Sequence, residues 1–381
     1  MPDVAVIGIG MLPFGRHPER TVVDMGTEAT LLALQDAGLP PARVGAGFFA
    51  NALAGRLFGD MTIGQNVFGE AGINRIPVIN VENACTSGST AFYLAYNAVA
   101  AGQVEVALAA GAEKMCVPGF GLINSGENEL ETKLGLVTPA SFALRAMRHM
   151  AEFGTTPAQL AAVSVKNRRH ARHNPMAQFR EPVTVEDVLT APMIADPLTR
   201  LMCCPIADGA AAAILCSTAS ARRMQRAVQV KAAVLCSGSY ENPQDLVRWE
   251  TDYRVCRLAY EKAGVDPADL DLVECHDAFS IAEILHYEAL GLCLPGEGGR
   301  LAAEGETALG GRIPVNTSGG LLSRGHPVAA TGLAQVCEVI TQLRGEAGQR
   351  QVAKAKIGLA HCAGGDKDGD TKSSTVLIFA V

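Results

Sequence analysis

The sequence has no long apolar run free of charge, so no segment of it reads as a membrane-spanning helix. It also lacks a basic excess. Lys and Arg number 32 against 39 Asp and Glu, and the net charge of −7 argues against a nucleic-acid binder. The basic residues form no long stripe; the short cluster "KNRRHARH" at 166–173 suits at most a local anion site. Aromatics are scarce, with one Trp, six Tyr and twelve Phe, so a pocket cannot be lined mainly by them, although an aromatic ligand is not thereby excluded. Eleven cysteines are present, but no paired CxxC or His/Cys spacing suggests a metal site, and adjacent Cys203 and Cys204 are too close for an ordinary disulfide. The opening "MPDVAVIGIGMLPFG" has no basic start or long apolar core and reads as a strand entering a glycine-containing turn. The closing "LIFAV" carries no lipidation or peroxisomal address. With an odd cysteine count, these features predict reduced thiols and a cytoplasmic protein.

What is present is a chain of 381 residues, 48% hydrophobic and 19% charged, enough for two domains or one large fold built from two halves. A repeat favours the second. "ALQDAGLPPARVGAGFFANA" (33–52) aligns without gaps to "AYEKAGVDPADLDLVECHDA" (259–278); each reads as a helix end, an Ala-Gly cap, a proline turn and a short strand. "CTSGSTA" at 85 and "HPVAATG" at 326 form a weaker pair, each opening a helix of small residues. Strand-like runs "DVAVIGIG", "EVALAAGAE", "AAAILCS", "VKAAVLCSGS", "KIGLAHCAGG" and "STVLIFAV" alternate with helical segments. Two sheets sharing central helices would give a five-layered α/β/α/β/α core. Residues 1–117 with 192–228 are expected to form one half and 229–381 the other. Residues 118–191, with helices around 141–153 and 157–172, are expected to be an inserted helical subdomain covering a site.

Four short motifs carry candidate chemistry. In "NACTSGSTAF" (83–92), Cys85 sits among small polar residues at the mouth of a helix, where N–H groups and the helix dipole favour a thiolate. The other reading is a small buried core cysteine, which suits Cys216 and Cys337. In "SRGHPVAATG", a Gly and a Pro fix His326 in a turn, as catalytic group or helix cap. In "ECHDAF", His276 and Asp277 end a strand, as turn formers or site groups. In "AHCAGGDKDG", Cys362, Gly364 and Gly365 end another strand and form either a donor loop for an oxyanion or a flexible hairpin. Together they supply thiols, imidazoles and N–H donors, a set suited to acyl transfer through a thioester.

The chain resembles a thiolase, in particular the sterol-carrier-protein-2 type and its bacterial and archaeal relatives. Besides the catalytic motifs, the likeness lies in "RHMAEFGTT", "KNRRHARHNPMAQF", "CCPIADGAAAAIL", "YEALGLC" and "GHPVAATGLAQ". The resemblance implies a thiolase fold of duplicated βαβαβαββ halves with an inserted loop domain. It makes Cys85 the nucleophile that takes the acyl group from an acyl-CoA, and His326 its activating base. His276 becomes a donor to the thioester oxygen, Cys362 the acid/base, and the N–H groups of Cys85 and Gly364 an oxyanion hole. It implies CoA thioesters as substrates with no permanently bound cofactor, and a homodimer. Arg168, Arg169 and His170 become candidates for holding CoA, or else solvated charges on a helix; Met150 and Phe179 are candidates for the pantetheine tunnel, or else core.

The sequence departs from the family pattern at four places. Ala278 stands where the sterol-carrier-protein-2 type has a cysteine, Cys362 where it has an asparagine, and "DKDGD" (366–370) is unusually charged for a loop beside the active site. Ala329 also replaces a common glycine. The expected function is formation or cleavage of a 3-oxoacyl-CoA through a Cys85 acyl-enzyme, for an aromatic or branched acyl group, with a small zinc-ribbon/OB-fold (DUF35-type) partner of the kind this branch uses. The alternatives are a thiolase-fold aldolase or ring acyltransferase, and a scaffold subunit with a decayed site. Retention of Cys85, His276 and His326 speaks against the last.

Overall fold

The computed structural model describes residues 3–121, 124, 126, 128–221, 226–239 and 245–381. Residues 122, 123, 125 and 127 of the expected insertion lie outside them. Among the described residues the eleven strands are β1 (Val4–Met11), β2 (Ala46–Ala50), β3 (Val78–Val81), β4 (Val106–Glu113), β5 (Met193–Ala195), β6 (Leu198–Thr199), β7 (Gly209–Ser217), β8 (Val228–Ser237), β9 (Leu272–Glu274), β10 (Ile357–Lys367) and β11 (Asp370–Ala380). The helices of eight residues or more are α1 (Val22–Ala37), α2 (Ile63–Glu70), α3 (Ser87–Ala100), α4 (Thr138–Phe153), α5 (Pro157–Ala171), α6 (Glu250–Ala263), α7 (Ser280–Ala289) and α8 (Thr331–Leu343).

Nine strands are hydrogen-bonded in the order β3-β2-β4-β7-β1-β8-β11-β10-β9, while β5 and β6 form a separate ribbon. The first five strands and the last four run outward from the centre in matching sequence. β1 answers to β8, β7 to β11, β4 to β10 and β2 to β9. The parallel partner of β9 that would answer to β3 is reduced to one bridge, Val273 to Val315. Within the sheet the halves are joined by the short β1–β8 ladder, Val4–Val230, Ala5–Gln229 and Val6–Val228. The repeat seen in sequence is visible at each stage. α1 and α6 end at Gly38 and Gly264, both in the left-handed region, and a proline-led single turn then leads into β2 or β9.

The period-two alternation of strand side chains sets the layers. Along β1 and β7, Val4, Val6, Ala211, Ala213 and Leu215 face a central apolar layer, whereas Ala5, Ile7, Ala212 and Ile214 face an outer one with α1 and α2. Along β10 and β11, Ala360, Leu377 and Phe379 face the same central layer, and Leu359, Val376 and Ile378 face a second outer layer with α5, α6 and α7. Helices α3 and α8 fill the centre, giving the α/β/α/β/α stack. Their small residues let the backbones touch: a Cβ on Gly88 would lie 2.5 Å from the Ala329 carbonyl oxygen, and one on Gly332 would lie 2.6 Å from the Ser89 nitrogen. Ala329 is fully buried at this crossing, its carbonyl wedged between Gly88 and Gly111.

The charged run "DKDGD" is the turn of the β10–β11 hairpin. Asp368 and Gly369 both have positive φ, 52° and 82°, the twist that a two-residue hairpin connection demands. Its carboxylates have partners. Asp370 is buried and accepts from the Thr251 hydroxyl at 2.7 Å. Asp366 accepts from Arg145 Nη2 at 2.8 Å and from the Ser141 hydroxyl at 2.5 Å, tying the hairpin to α4.

Candidate active site

Cys85 lies between β3 and α3 in a turn where Ala84 adopts φ 47°, a conformation of stored strain for a residue with a Cβ. The turn is held from both sides. The Asn83 N–H donates to the Ser87 hydroxyl at 2.8 Å, and the Thr86 hydroxyl donates to the Asn83 carbonyl at 2.6 Å. Asn83 Nδ2 reaches across to the hydroxyls of Thr90 (3.0 Å) and Ser373 (2.9 Å). The sulfur is therefore aimed by both halves of the fold.

His326 Nε2 lies 3.3 Å from Cys85 Sγ. On the other side of the ring, Nδ1 lies 2.7 Å from the Thr331 hydroxyl, which itself donates to the Pro327 carbonyl at 2.9 Å. That hydroxyl can therefore only accept from Nδ1–H, which leaves Nε2 as a bare acceptor facing the thiol. Burial, with Arg324 adding to it, pushes His326 down to about 3, so the ring is neutral at physiological pH. Burial likewise pushes the Cys85 thiol up to about 12, against the N–H groups of Gly365 and Cys85 and helped by Glu113. The thiolate expected at a helix mouth is thus not the resting form. The site rests as a thiol beside a neutral imidazole that can take its proton.

The N–H groups that reach the sulfur are those of Gly365 and of Cys85 itself. Gly364 is a point of close approach: a Cβ there would lie 2.9 Å from the Thr86 nitrogen and 3.1 Å from that of Cys85. His276 follows β9, its ring centroid 5.2 Å from that of His326. Its Nε2 is buried without a hydrogen-bond partner among the described residues, and burial holds the ring well below its ordinary value, with His326 next among the causes. Asp277 beside it is structural, accepting from the N–H groups of Leu321 and Leu322 at 2.7 and 3.2 Å.

Cys85, His276 and His326 open onto one cavity of about 1190 Å³, large enough for a long-armed ligand. Trp249, Phe142 and Phe279 make one wall, with Phe142 stacked on Phe279 at 4.3 Å and edge-on to Trp249 at 6.0 Å. The scarce aromatics are thus gathered where a ligand would lie. Arg168 lines the cavity with Phe179 beneath its guanidinium at 4.7 Å. The neighbouring candidates are not brought there. Arg169 is exposed, and Met150 packs half-buried against the apolar layer of α5–α7. His170 is buried, its Nδ1 donating to the Asn316 carbonyl (2.9 Å) and its Nε2 accepting from the Leu309 N–H (3.0 Å). Cys362 is 1% exposed and donates to the Cys85 carbonyl at 3.1 Å; it lies behind the nucleophile and off the cavity wall. Cys204, which sequence reasoning passed over, is on that wall, and its N–H donates to the Ala278 carbonyl at 2.9 Å. Arg145, Asp366 and Trp249 were also missed as wall residues, because nothing local in the sequence connects them.

A thiol–imidazole pair between the duplicated halves of a five-layered α/β fold, beneath two inserted helices, defines the class as thiolase-fold acyl-transfer enzymes. The chain belongs to the thiolase family: residues 4–219 match "Thiolase, N-terminal domain" and 237–379 match "Thiolase C-terminal domain-like". It is 45% identical over 371 residues to an acetyl-CoA acetyltransferase of Methanothermobacter thermautotrophicus, covering 96% of this chain and 97% of that one. It is 39% identical to sterol carrier protein 2 of Oryctolagus cuniculus, over 96% of this chain and 70% of the other. It is 36% identical to the benzoylsuccinyl-CoA thiolase subunit BbsB of Thauera aromatica, over 95% and 94%. Among solved structures, an Ltp2-ChsH2(DUF35) aldolase superposes with TM-score 0.84 at 28% identity, covering 98% and 97%. The chain is a thiolase-type acyltransferase, an enzyme of CoA thioesters. Among the described residues no helix is long and apolar enough to cross a membrane.

Proposed function

We propose that the enzyme makes or cleaves a 3-oxoacyl-CoA through an acyl-enzyme on Cys85. The observation that carries this is the 3.3 Å contact between Cys85 Sγ and a neutral His326 Nε2 at the cavity wall. In the cleaving direction the thiol proton passes to Nε2 and the sulfur attacks the 3-keto carbon. The C2–C3 bond breaks, the thioester enolate takes a proton, and free CoA then accepts the acyl group from Cys85. The N–H groups of Cys85 and of the Gly364–Gly365 turn are suited to the oxyanion on the acyl carbon, and His276 Nε2, with no partner among the described residues, to the enolate oxygen.

The acyl group we assign is aryl or branched, since the wall of Phe142, Phe279 and Trp249 offers flat apolar faces rather than a narrow slot. Similarity to BbsB agrees with this. Arg168 over Phe179 is suited to the nucleotide end of CoA. A homodimer is supported by β3, the outermost strand of its half, where Ile79 is 48% exposed. A DUF35-type partner is suggested by the aldolase neighbour's own composition. That neighbour also supports a second reading, aldol cleavage, which requires no nucleophilic thiol.

Intact-protein mass after incubation with acetyl-CoA and with branched and aromatic acyl-CoAs tests the reading. An acyl adduct in the wild type that is absent in Cys85→Ala is expected. The acid/base role of Cys362 is tested alongside that of Cys204: the variant that acylates but no longer exchanges the α-proton of an acyl-CoA with solvent identifies the second thiol. No adduct with any thioester, alone or with a DUF35-type subunit, would transfer the reading to aldol chemistry.

A further inference from the structure

Cys85, His276 and His326 come from three distant segments, so no spacing in the sequence announces what they share. Their ligand atoms lie within 4.8 Å of one another at the wall of the large cavity. Acyl transfer takes these groups in turn, sulfur to imidazole for the proton and His276 to the enolate oxygen. It does not require all three to stand close enough to share one ion, yet they do.

The donors are in the state that a metal ion needs. His326 gives its Nδ1–H to the Thr331 hydroxyl at 2.7 Å and turns a bare Nε2 toward Cys85 Sγ at 3.3 Å. An acceptor on the far nitrogen is how a ligating imidazole is ordinarily oriented. His276 is 6% exposed, and its Nε2 has no hydrogen-bond partner among the described residues. A neutral ring bears one hydrogen, so this nitrogen can offer it to an enolate oxygen or offer a lone pair to a cation. The spacing agrees. With Zn–S about 2.3 Å and Zn–N about 2.0–2.1 Å, a tetrahedral angle sets sulfur and nitrogen about 3.5 Å apart. The observed 3.3 Å is close to that. The cavity leaves the fourth position to water or a thioester oxygen, the pattern of an open zinc site.

One thiolate and two imidazoles form a borderline-soft set that favours zinc over magnesium, calcium or manganese. Asp252, His286 and His361 lie as near to one another, but they offer a carboxylate in place of sulfur and all three are buried. They serve as the comparison.

We infer that Cys85, His276 and His326 form an inhibitory zinc site. Zn2+ bonds to Sγ and to both imidazoles, and the Cys85 proton leaves to solvent, since a coordinated thiol is deprotonated outright. The attacking sulfur and the base that serves it are then occupied together, and acylation stops. Linkage makes the exclusion mutual: an acylated sulfur is a poor ligand, so acyl-CoA and zinc each weaken the other. The metal site stands on geometry; its consequence for acylation rests on the thiolase reading.

The test adds Co2+ to the full chain and reads its absorption, with Zn2+ as competitor. One equivalent is expected to give the intense visible bands of a tetrahedral ion and a thiolate-to-cobalt band in the near ultraviolet, both bleached by zinc. Cys85→Ala should lose the thiolate band. Thr331→Val, which removes only the hydroxyl behind His326, should weaken binding about 10- to 100-fold, and His276→Asn at least as much. Cys204→Ala and Asp252→Asn should leave the spectrum as it is. Zinc should also slow iodoacetamide labelling of Cys85, and a chelator should restore it. A spectrum without the thiolate band, or affinity kept in Cys85→Ala but lost in Cys204→Ala or Asp252→Asn, would overturn the inference. So would an acyl adduct that zinc does not suppress. Failure of every thioester to acylate would sink the earlier reading while the cobalt spectrum still decides this one.

Discussion

Replacing Asp366 by Asn should loosen α4 from the β10–β11 hairpin. Arg145 is 2% exposed and Asp366 22%, with Nη2 and Oδ1 2.8 Å apart. Removing one member of a buried pair leaves an unanswered charge, a loss of about 3–5 kcal/mol in a fully buried site. Asp366 is partly open to water, and Arg145 Nη1 keeps its contacts with the Ser141 carbonyl (3.1 Å) and hydroxyl (2.5 Å). The expected loss is therefore about 2–3 kcal/mol, less than the full figure. Because the chain is too large for a single two-state unfolding, the loss is best read locally. Hydrogen exchange in residues 138–153 and in the hairpin should speed up by about 30- to 150-fold. The double variant Arg145→Met, Asp366→Asn removes both charges and should recover much of the protection. Acceleration below about twofold in Asp366→Asn would refute the idea that this pair latches the hairpin, as would a double variant no better protected than the single.

Three further outcomes are expected. His326→Asn should slow acylation of Cys85 by about 100- to 10,000-fold, and its alkylation by iodoacetamide should then climb with pH instead of staying level near neutrality. His170 is pushed down to about 3 by burial and by Lys166, so between pH 3 and 6.5 the unfolded chain carries a proton that the native one does not. Stability should therefore be complete above pH 6.5 and fall as pH drops, by about 4–5 kcal/mol at most. Denaturation midpoints of wild type and His170→Gln, followed from pH 7 to 4, check this; the variant should be flatter. Arg168→Ala should raise KM for acyl-CoA about tenfold with little change in kcat, whereas Arg169→Ala should leave both alone.

The parts of this protein that are local in sequence could be read from it. The helix end, glycine cap, proline turn and strand at 33–52 and 259–278 recur because each copy uses the same short-range chemistry. The small residues around Cys85 and His326 announced two helices in backbone contact. Arg168 and Arg169 were harder to separate, since successive helical residues point about 100° apart and one charged run serves both cavity and solvent. His170 looked like a charge in that run, yet it is core, because its acceptor and donor come from Asn316 and Leu309 on a distant segment. The charges of "DKDGD" looked misplaced until their partners, Ser141, Arg145 and Thr251, came from helices more than a hundred residues away. The thiolate expectation for Cys85 failed for a similar reason. Burial there is supplied by the second half of the fold, and no neighbour in sequence reports it.

The sheet passes from one half to the other through the short β1–β8 ladder, and the sulfur and its imidazole belong to opposite halves. During synthesis Cys85 emerges from the ribosome with the first copy, and His326, 241 residues further along the chain, follows only with the second. Until the second copy docks, the thiol has no base, no Gly365 N–H, and of the aromatic wall only Phe142. Assembly of the repeat is in this sense the switch that turns a quiet cysteine into a reagent, and a chain cut short anywhere before the last hairpin would leave it off.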